Sequence, residues 1–206
     1  MKADPLLKAS AKDPELVSVP GLRFFMIDGS GDPNGPEFQD AVGALYGAAY
    51  TVKFALRKTN PQRDYRVKPL EGLWWCEGIE GFDLERRDTW RWTLMIRQPD
   101  FVTRGMLKSA IEQVAERRGR TPALARVRLA TYKEGRAVQM LHVGPYSAEA
   151  RTLERMRAFV TASGLEYAGK HHEIYLSDPR RTAPEKIRTI LRQPVKKARK
   201  ARSAAA

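Results

Sequence analysis

Apolar positions along this chain follow two periods. A near-continuous run within ELVSVPGLRFFMIDGSG, closed by glycines, predicts a first strand at about Leu22 to Asp28. After the loop GSGDPNGP, the residues Phe38, Val42, Leu45, Ala49, Val52 and Leu56 recur every three to four positions, which predicts an amphipathic helix from Glu37 to Leu56. Asn60 and Pro61 end it. The aromatic and β-branched stretches DYRVKPLEGLWWCEG and RRDTWRWTLMIRQP, separated by a charged, glycine-containing turn, read as two antiparallel strands. A second helix runs from an N-cap at Thr103 to about Arg118, with Leu107, Ile111, Val114 and Ala115 as its buried stripe and Gly119 as its stop. ARVRLATYKEG and RAVQMLHVGPY predict a hairpin turning at Lys133, Glu134 and Gly135. A third helix, Ser147 to Ser163, carries Ala150, Leu153, Met156 and Val160 on one side and closes at Gly164. LEYAGKHHEIYLSDP supplies another strand, and PEKIRTILRQP predicts a short helix.

The two halves are weakly alike. FFMIDGSGDP, a helix and VKPLEGLWW match VQMLHVGPYS, a helix and GKHHEIYLS, and Lys68 and Glu71 have the spacing of Lys170 and Glu173. The expected fold is therefore α+β: duplicated strand-helix-strand-strand modules in a pseudo-twofold arrangement around a central ligand pocket. The domain is expected over residues 15–194, with repeats at about 15–100 and 101–194. Polar, proline-punctuated residues 1–14 and the basic residues 195–206 are expected to be disordered ends.

Composition narrows the function. None of the apolar runs in the 206 residues approaches the roughly 18 needed to span a bilayer, and MKADPLLKASAKDPE lacks the apolar core of a secretory signal, so a cytoplasmic protein without membrane contact is expected. One cysteine, Cys76, and three histidines leave no set for an internal disulfide or a structural zinc. The net charge of +13 raises nucleic acid as a partner. Five of the cations, however, crowd into VKKARKARSAAA, and no zinc-finger spacing or RNA-recognition motif accompanies them, so nucleic-acid contact is expected to be weak and confined to this tail. Walker, GxSxG and HExxH motifs are absent.

Among candidate chemical groups, His171 and His172 are adjacent in a strand and face opposite ways, so they cannot share one metal ion, and no metal site is expected. His142 reads as a packed or hydrogen-bonded strand residue. Glu173 shares a face with Tyr175, opposite Ile174 and Leu176. If the aliphatic pair faces the helices, Glu173 and Tyr175 face whatever the sheet encloses. The alternative is a surface glutamate or an ion pair with Lys170, Arg180 or Arg181. Trp74, Trp75, Trp90 and Trp92 fit either core packing or a cage for flat aromatic or cationic ligands, and alternation puts Trp75 with Glu71 and Leu73, and Trp90 with Trp92.

KHHEIYLSDPRRTAPEKIRTILRQP, HVGPYSAE, and RVKPLEGLWW followed by WRWTLMIRQP resemble, in order and spacing, the DNA gyrase inhibitor-like (GyrI-like) small-molecule-binding proteins, in their stand-alone branch, over about residues 15–194. The resemblance implies an aromatic pocket with its glutamate at Glu173 and a tyrosine at Tyr146. Some relatives it points to open the cyclopropane of DNA-alkylating natural products of the duocarmycin and yatakemycin type, and related domains bind lipophilic cations. On that chemistry Glu173 is expected to activate water, Tyr146 to orient it, and Trp75, Trp92 and Tyr175 to hold the flat substrate, with no cofactor. The expected partners are hydrophobic aromatic small molecules. A non-catalytic binder or sensor is the other reading.

Overall fold

Residues 4–76 and 89–198 are described in this computed structural model. Among them the order is β1 (Glu15–Ser30), α1 (Pro36–Thr59), β2 (Leu70–Cys76), β3 (Trp90–Arg97), α2 (Arg104–Arg118), α3 (Pro122–Arg126), β4 (Arg128–Val143), α4 (Ala150–Ala162), β5 (Leu165–Tyr167), β6 (His171–Tyr175) and β7 (Arg188–Lys197). The ladders run β4-β1-β3-β2-β6-β7-β5, and an additional β4–β7 pairing closes six strands into a barrel. The architecture is thus a mixed α+β domain built on a β-barrel with four helices described.

Helix α1 opens with Pro36, whose missing N–H costs nothing in a first turn, and buries Ala41, Ala44, Leu45, Ala48, Ala49, Val52 and Leu56. Its alanines let it approach Phe25 and Ile27 of β1 and Trp92, Leu94 and Ile96 of β3. Helix α2 starts where Thr103 accepts a hydrogen bond from the Met106 N–H at 3.2 Å. On the other half, Met156 and Val160 of α4 pack on Val138 and Met140 of β4 and Leu191 of β7. The β2–β6 seam lies between these two helix-covered halves.

Three expectations are corrected. The hairpin at Lys133, Glu134 and Gly135 is instead one continuous strand, β4, paired along its length with β1. Gly135 takes φ +79°, a value open to glycine, and bends the strand without reversing it. The facing Pro20 has no N–H to give the ladder, and pairing resumes in the same register on both sides, Val19 with Gly135 and Gly21 with Lys133. The short helix expected in PEKIRTILRQP is a single 3₁₀ turn, Pro184–Lys186, followed by β7. Residues Thr189 to Val195 are buried on both faces between β4 and β6, an environment that favours a strand whatever the local spacing. The strand expected in LEYAGKHHEIYLSDP is two, β5 and β6, broken at Gly169.

The chain ends also differ from expectation. Residues 4–14 lie against the barrel: Asp4 pairs with Lys68 and Arg97, and the carbonyls of Leu6, Lys8 and Ser10 accept from Arg192, Gln139 and the Leu141 N–H. Backbone carbonyls dock this segment, which is why its side-chain polarity misleads. Val195 to Lys197 belong to β7, paired with β5, and Lys196 meets Glu166 at 3.2 Å. The turn expected between the tryptophan strands falls on residues 77–88, and residues 1–3 and most of the basic tail, 199–206, likewise lie outside the described residues.

The barrel interior is filled. Phe24, Met26, Leu73 and Met95 occupy one part, and Leu141, Ile174 and Ile190 lie under Leu7 and Ala9. Between them His172 Nδ1 meets Glu134 at 3.0 Å, its Nε2 meets Glu71 at 3.0 Å, and Arg192 reaches Glu134 at 3.4 Å and Gln139 at 2.7 Å. A cavity of about 10 Å³ beside this network holds no more than about one water. The space enclosed by the sheet is therefore not a pocket for an aromatic ligand.

Candidate functional site

Glu173 and Tyr175 lie on the outer, helix-side face of β6, and His172 and Ile174 point into the barrel. This reverses the expected sense of the strand while keeping its alternation. Glu173 is only 8% exposed, and His171 Nε2 lies 3.4 Å from its Oε1. The Tyr175 hydroxyl accepts from Trp74 Nε1 at 3.0 Å, and the Glu173 carboxyl near it adds to burial in raising the phenol well above its ordinary range. The indole so fixes the position of the phenol near the acidic group.

Aromatic rings border it. Phe38 of α1 stacks on Trp74 at 5.8 Å and meets Trp92 edge-on at 5.3 Å, and Trp90 packs against Trp74 at 5.6 Å. Tyr146, in the 3₁₀ turn before α4, contacts Tyr175 edge-on at 6.0 Å and is 39% exposed, so it forms the outer rim. Two glycines make this packing possible. A Cβ on Gly72 would lie 2.8 Å from Trp74 Nε1 and 3.0 Å from Tyr175 Oη, and one on Gly29 would lie 2.1 Å from the Trp92 ring.

Of the expected site residues, Glu173, Tyr175 and Tyr146 come together, and Trp92 packs behind Phe38 in the same layer. Trp75 does not join them. Trp74 is the direct cross-strand partner of Trp92, so those two share a face and Trp75 takes the opposite one, under the Lys170 ammonium at 3.2 Å. Trp74 fills the place expected of Trp75. The Lys68/Glu71 and Lys170/Glu173 correspondence fails for the same reason, since Glu71 points inward to His172 and Glu173 outward. His142 is a packed strand residue, as expected: Nε2 donates to the Pro145 carbonyl at 3.1 Å and Nδ1 meets Thr152 Oγ1 at 3.0 Å.

A residue that sequence reading passed over completes the site. Glu149, within HVGPYSAE and three residues after Tyr146, is 3% exposed, and its Oε1 has no hydrogen-bond partner among the described residues. Burial, then the neighbouring Glu173 carboxylate, holds its acid far above the ordinary range. Tyr146 is pushed up to about 12, by burial first and then by Glu173 and Glu149, and Tyr175 is also raised, so both phenols stay protonated and can donate. Among the described residues no group of three His, Cys, Asp or Glu is placed to hold a metal ion. Chemically, the site offers two buried carboxyls and two phenol donors beside flat aromatic faces. Such an arrangement can take a proton from a bound water or face a cation.

The class the structure defines is an α+β domain with a helix-flanked barrel and a buried carboxyl in an aromatic seam on its outer face. The chain belongs to the GyrI-like small molecule binding domain family, whose sequence model matches residues 12–196. It is similar to an uncharacterized conserved protein from Listeria innocua, at 47% identity over 91% of this chain and 94% of that one, with a TM-score of 0.84. It is also similar to a hydrolase from Listeria innocua, at 42% identity over 93% of this chain and 95% of that one, with a TM-score of 0.81. The EcmrR C-terminal domain shares the fold alone, with a TM-score of 0.55 at 12% identity over 90% of this chain and 98% of that domain. A search of curated proteins gives no match. Among the described residues no helix is long and apolar enough to cross a membrane.

Proposed function

We propose that this protein hydrolyses the strained cyclopropane of flat, aromatic DNA-alkylating compounds of the duocarmycin and yatakemycin type, with Glu173 as general base. The observation that supports the reading is the burial of the Glu173 carboxyl in the aromatic seam near Tyr175 and Tyr146, with His171 Nε2 3.4 Å from its Oε1. Similarity at 42% identity to a protein described as a hydrolase supports it. In the reaction, water oxygen bonds to the ring methylene as a cyclopropane C–C bond breaks. The released electron pair enters the conjugated dienone, which becomes a phenolate. Glu173 takes the water proton and gives it up as the product is protonated and leaves. Phe38, half-buried at the outer side of the aromatic layer, and Tyr146 hold the flat body, and Tyr146 closes the rim and donates toward the water. No cofactor enters this scheme. Its role is detoxification in the compartment that holds DNA, the cytoplasm.

The halves, residues 15–100 and 101–194, are in this reading duplicated modules about a pseudo-twofold axis. Their support is the matched ladder order, β1–β3–β2 in one and β4–β7–β6 in the other, joined by the β1–β4 and β2–β6 pairings.

A second reading, a non-catalytic binder of lipophilic aromatic or cationic compounds, is favoured by the presence of two carboxyls beside the aromatic faces. One experiment separates them. Glu173→Gln is expected to bind a spirocyclopropane dienone with wild-type quenching of tryptophan fluorescence while turnover falls about 10²- to 10⁴-fold. Saturable quenching by wild-type protein without any ring-opened product favours the binder.

A further inference from the structure

Tyr146 stands at the rim on a 3₁₀ turn of three residues, Tyr146–Ala148, which is too short to hold a half-exposed ring in one place by itself. The buried imidazole of His142, at the end of β4, supplies a further tie. Its Nε2 donates to the Pro145 carbonyl at 3.1 Å, beside the 2.9 Å bond that this carbonyl accepts from the Ala148 N–H. A carbonyl only accepts, so Nε2 carries the hydrogen, and Nδ1 faces the Thr152 hydroxyl at 3.0 Å. One ring therefore joins the strand end, the residue before Tyr146 and the first turn of α4. Gly144 permits the bend: its φ of +140° is open to glycine, and a Cβ there would lie 3.4 Å from His142 Nε2. The register adds the direction. His142 and Tyr175 are both cross-strand partners of Thr189, so they share one face of the sheet. The chain that leaves β4 and folds back onto His142 thereby brings the Tyr146 ring edge-on to Tyr175 at 6.0 Å.

We propose that His142 is a positioning residue for Tyr146: by gripping the Pro145 carbonyl it sets the rim phenol over Tyr175, where the proposed reaction needs it. The inference rests on the hydrolytic reading and adds to it a residue that touches neither substrate nor water. His142 acts through the turn alone. It gives up no proton during ring opening, so the balance of the reaction is unchanged. The bond to Pro145 is the one that matters, because that carbonyl belongs to the peptide leading directly into Tyr146, whereas Thr152 lies beyond the turn in α4.

The test is a double-mutant cycle on the full chain with a spirocyclopropane dienone as substrate and folding checked by circular dichroism. His142→Leu fills the space without a donor, and His142→Gln places an amide N–H near the position of Nε2. His142→Leu is expected to lower kcat/KM about tenfold in the wild-type chain but to change it within about twofold in Tyr146→Ala, where nothing is left to position. His142→Gln is expected to stay within about threefold of wild type. The same loss from His142→Leu in both backgrounds shows a merely structural role and overturns the proposal. Equal loss in the Gln and Leu variants overturns it too, and so does wild-type kcat/KM in His142→Leu. Fluorine NMR of a fluorotyrosine in place of Tyr146 reads the turn without substrate. Its resonance is expected to shift or broaden in His142→Leu and to hold in His142→Gln, and an unchanged resonance in His142→Leu overturns the positioning role. If wild-type protein opens no ring, the hydrolytic reading fails, and the fluorine spectra still decide whether His142 places Tyr146.

Discussion

His172 carries a positive charge at the centre of the barrel. Burial alone would lower its basicity, but Glu134 and then Glu71, each 3.0 Å from a ring nitrogen, override that and raise it to about 9. Because this value lies above that of the unfolded imidazole, the stability it contributes is complete below about pH 6.5 and disappears as the pH rises through about 9. Replacing it strands Glu71 and leaves Glu134 with Arg192 alone. His172→Leu is therefore expected to cost about 3–5 kcal/mol in urea denaturation near pH 6, with the gap to wild type narrowing above pH ~9. A gap that is small near pH 6, or one that widens with alkali, would contradict the assignment. The neighbouring His171 faces the other way, toward Glu173. Strand alternation made that opposition legible, along with the pairing of Glu173 and Tyr175 on one face. Alternation carries no information on which face is inside, because interior and helix side both accept apolar residues here. The choice between Trp74 and Trp75 was hidden for a related reason: it depends on the register with Trp92, which is set by pairing between strands.

At the level of elements, the seam of β2 and β6 builds the site, and Gly72 is its keystone. The residue pairs with Glu173 across the ladder, and its bare Cα makes room for Trp74 and Tyr175 to meet at 3.0 Å. Gly72→Ala is expected to push these rings apart, destabilising the fold by about 1–3 kcal/mol. On the proposed function it should also slow turnover about 10²-fold by displacing Tyr175 and the strand residue Glu173 that faces Gly72, as steady-state kinetics and tryptophan fluorescence can measure. Gly43→Ala on α1, where a Cβ meets nothing within 4 Å, serves as the control and should leave turnover unchanged. Equal kinetics for the two variants would remove the Trp74–Tyr175 contact from the account. Helices α1, α2 and α4 were readable because each presents one apolar stripe with a clear start and stop, whereas the five-residue α3 is too short to show a stripe and was missed. β4 and β7 were not readable either. Gly135 after a lysine and glutamate has the local chemistry of a turn, and only the long partner strand β1 holds that segment extended. In β7 the burial of both faces erases the alternation that would have marked it as a strand.

For the molecule as a whole, the sequence conveyed the α+β character but not the closure of the sheet into a filled barrel. Closing six strands into a barrel fills the enclosed space with Phe24, Met26, Leu73, Met95 and the His172 network. Glu173 and its aromatic neighbours are left to the outer face, where the β2–β6 seam lies between α1 and α4. Residues 4–14 reinforce that arrangement by tying Arg192 and Gln139 to the Leu6 and Lys8 carbonyls on the side of the barrel interior, remote in role from Glu173. In the proposed reaction, then, the carboxyl that takes the water proton stands outside the barrel, in the aromatic seam. A crystal structure of Glu173→Gln soaked with a spirocyclopropane dienone tests it most directly. The account predicts unopened substrate lying against Phe38 and Tyr146 with its ring methylene facing residue 173, and a compound bound elsewhere on the protein, or found already opened in that variant, would contradict it.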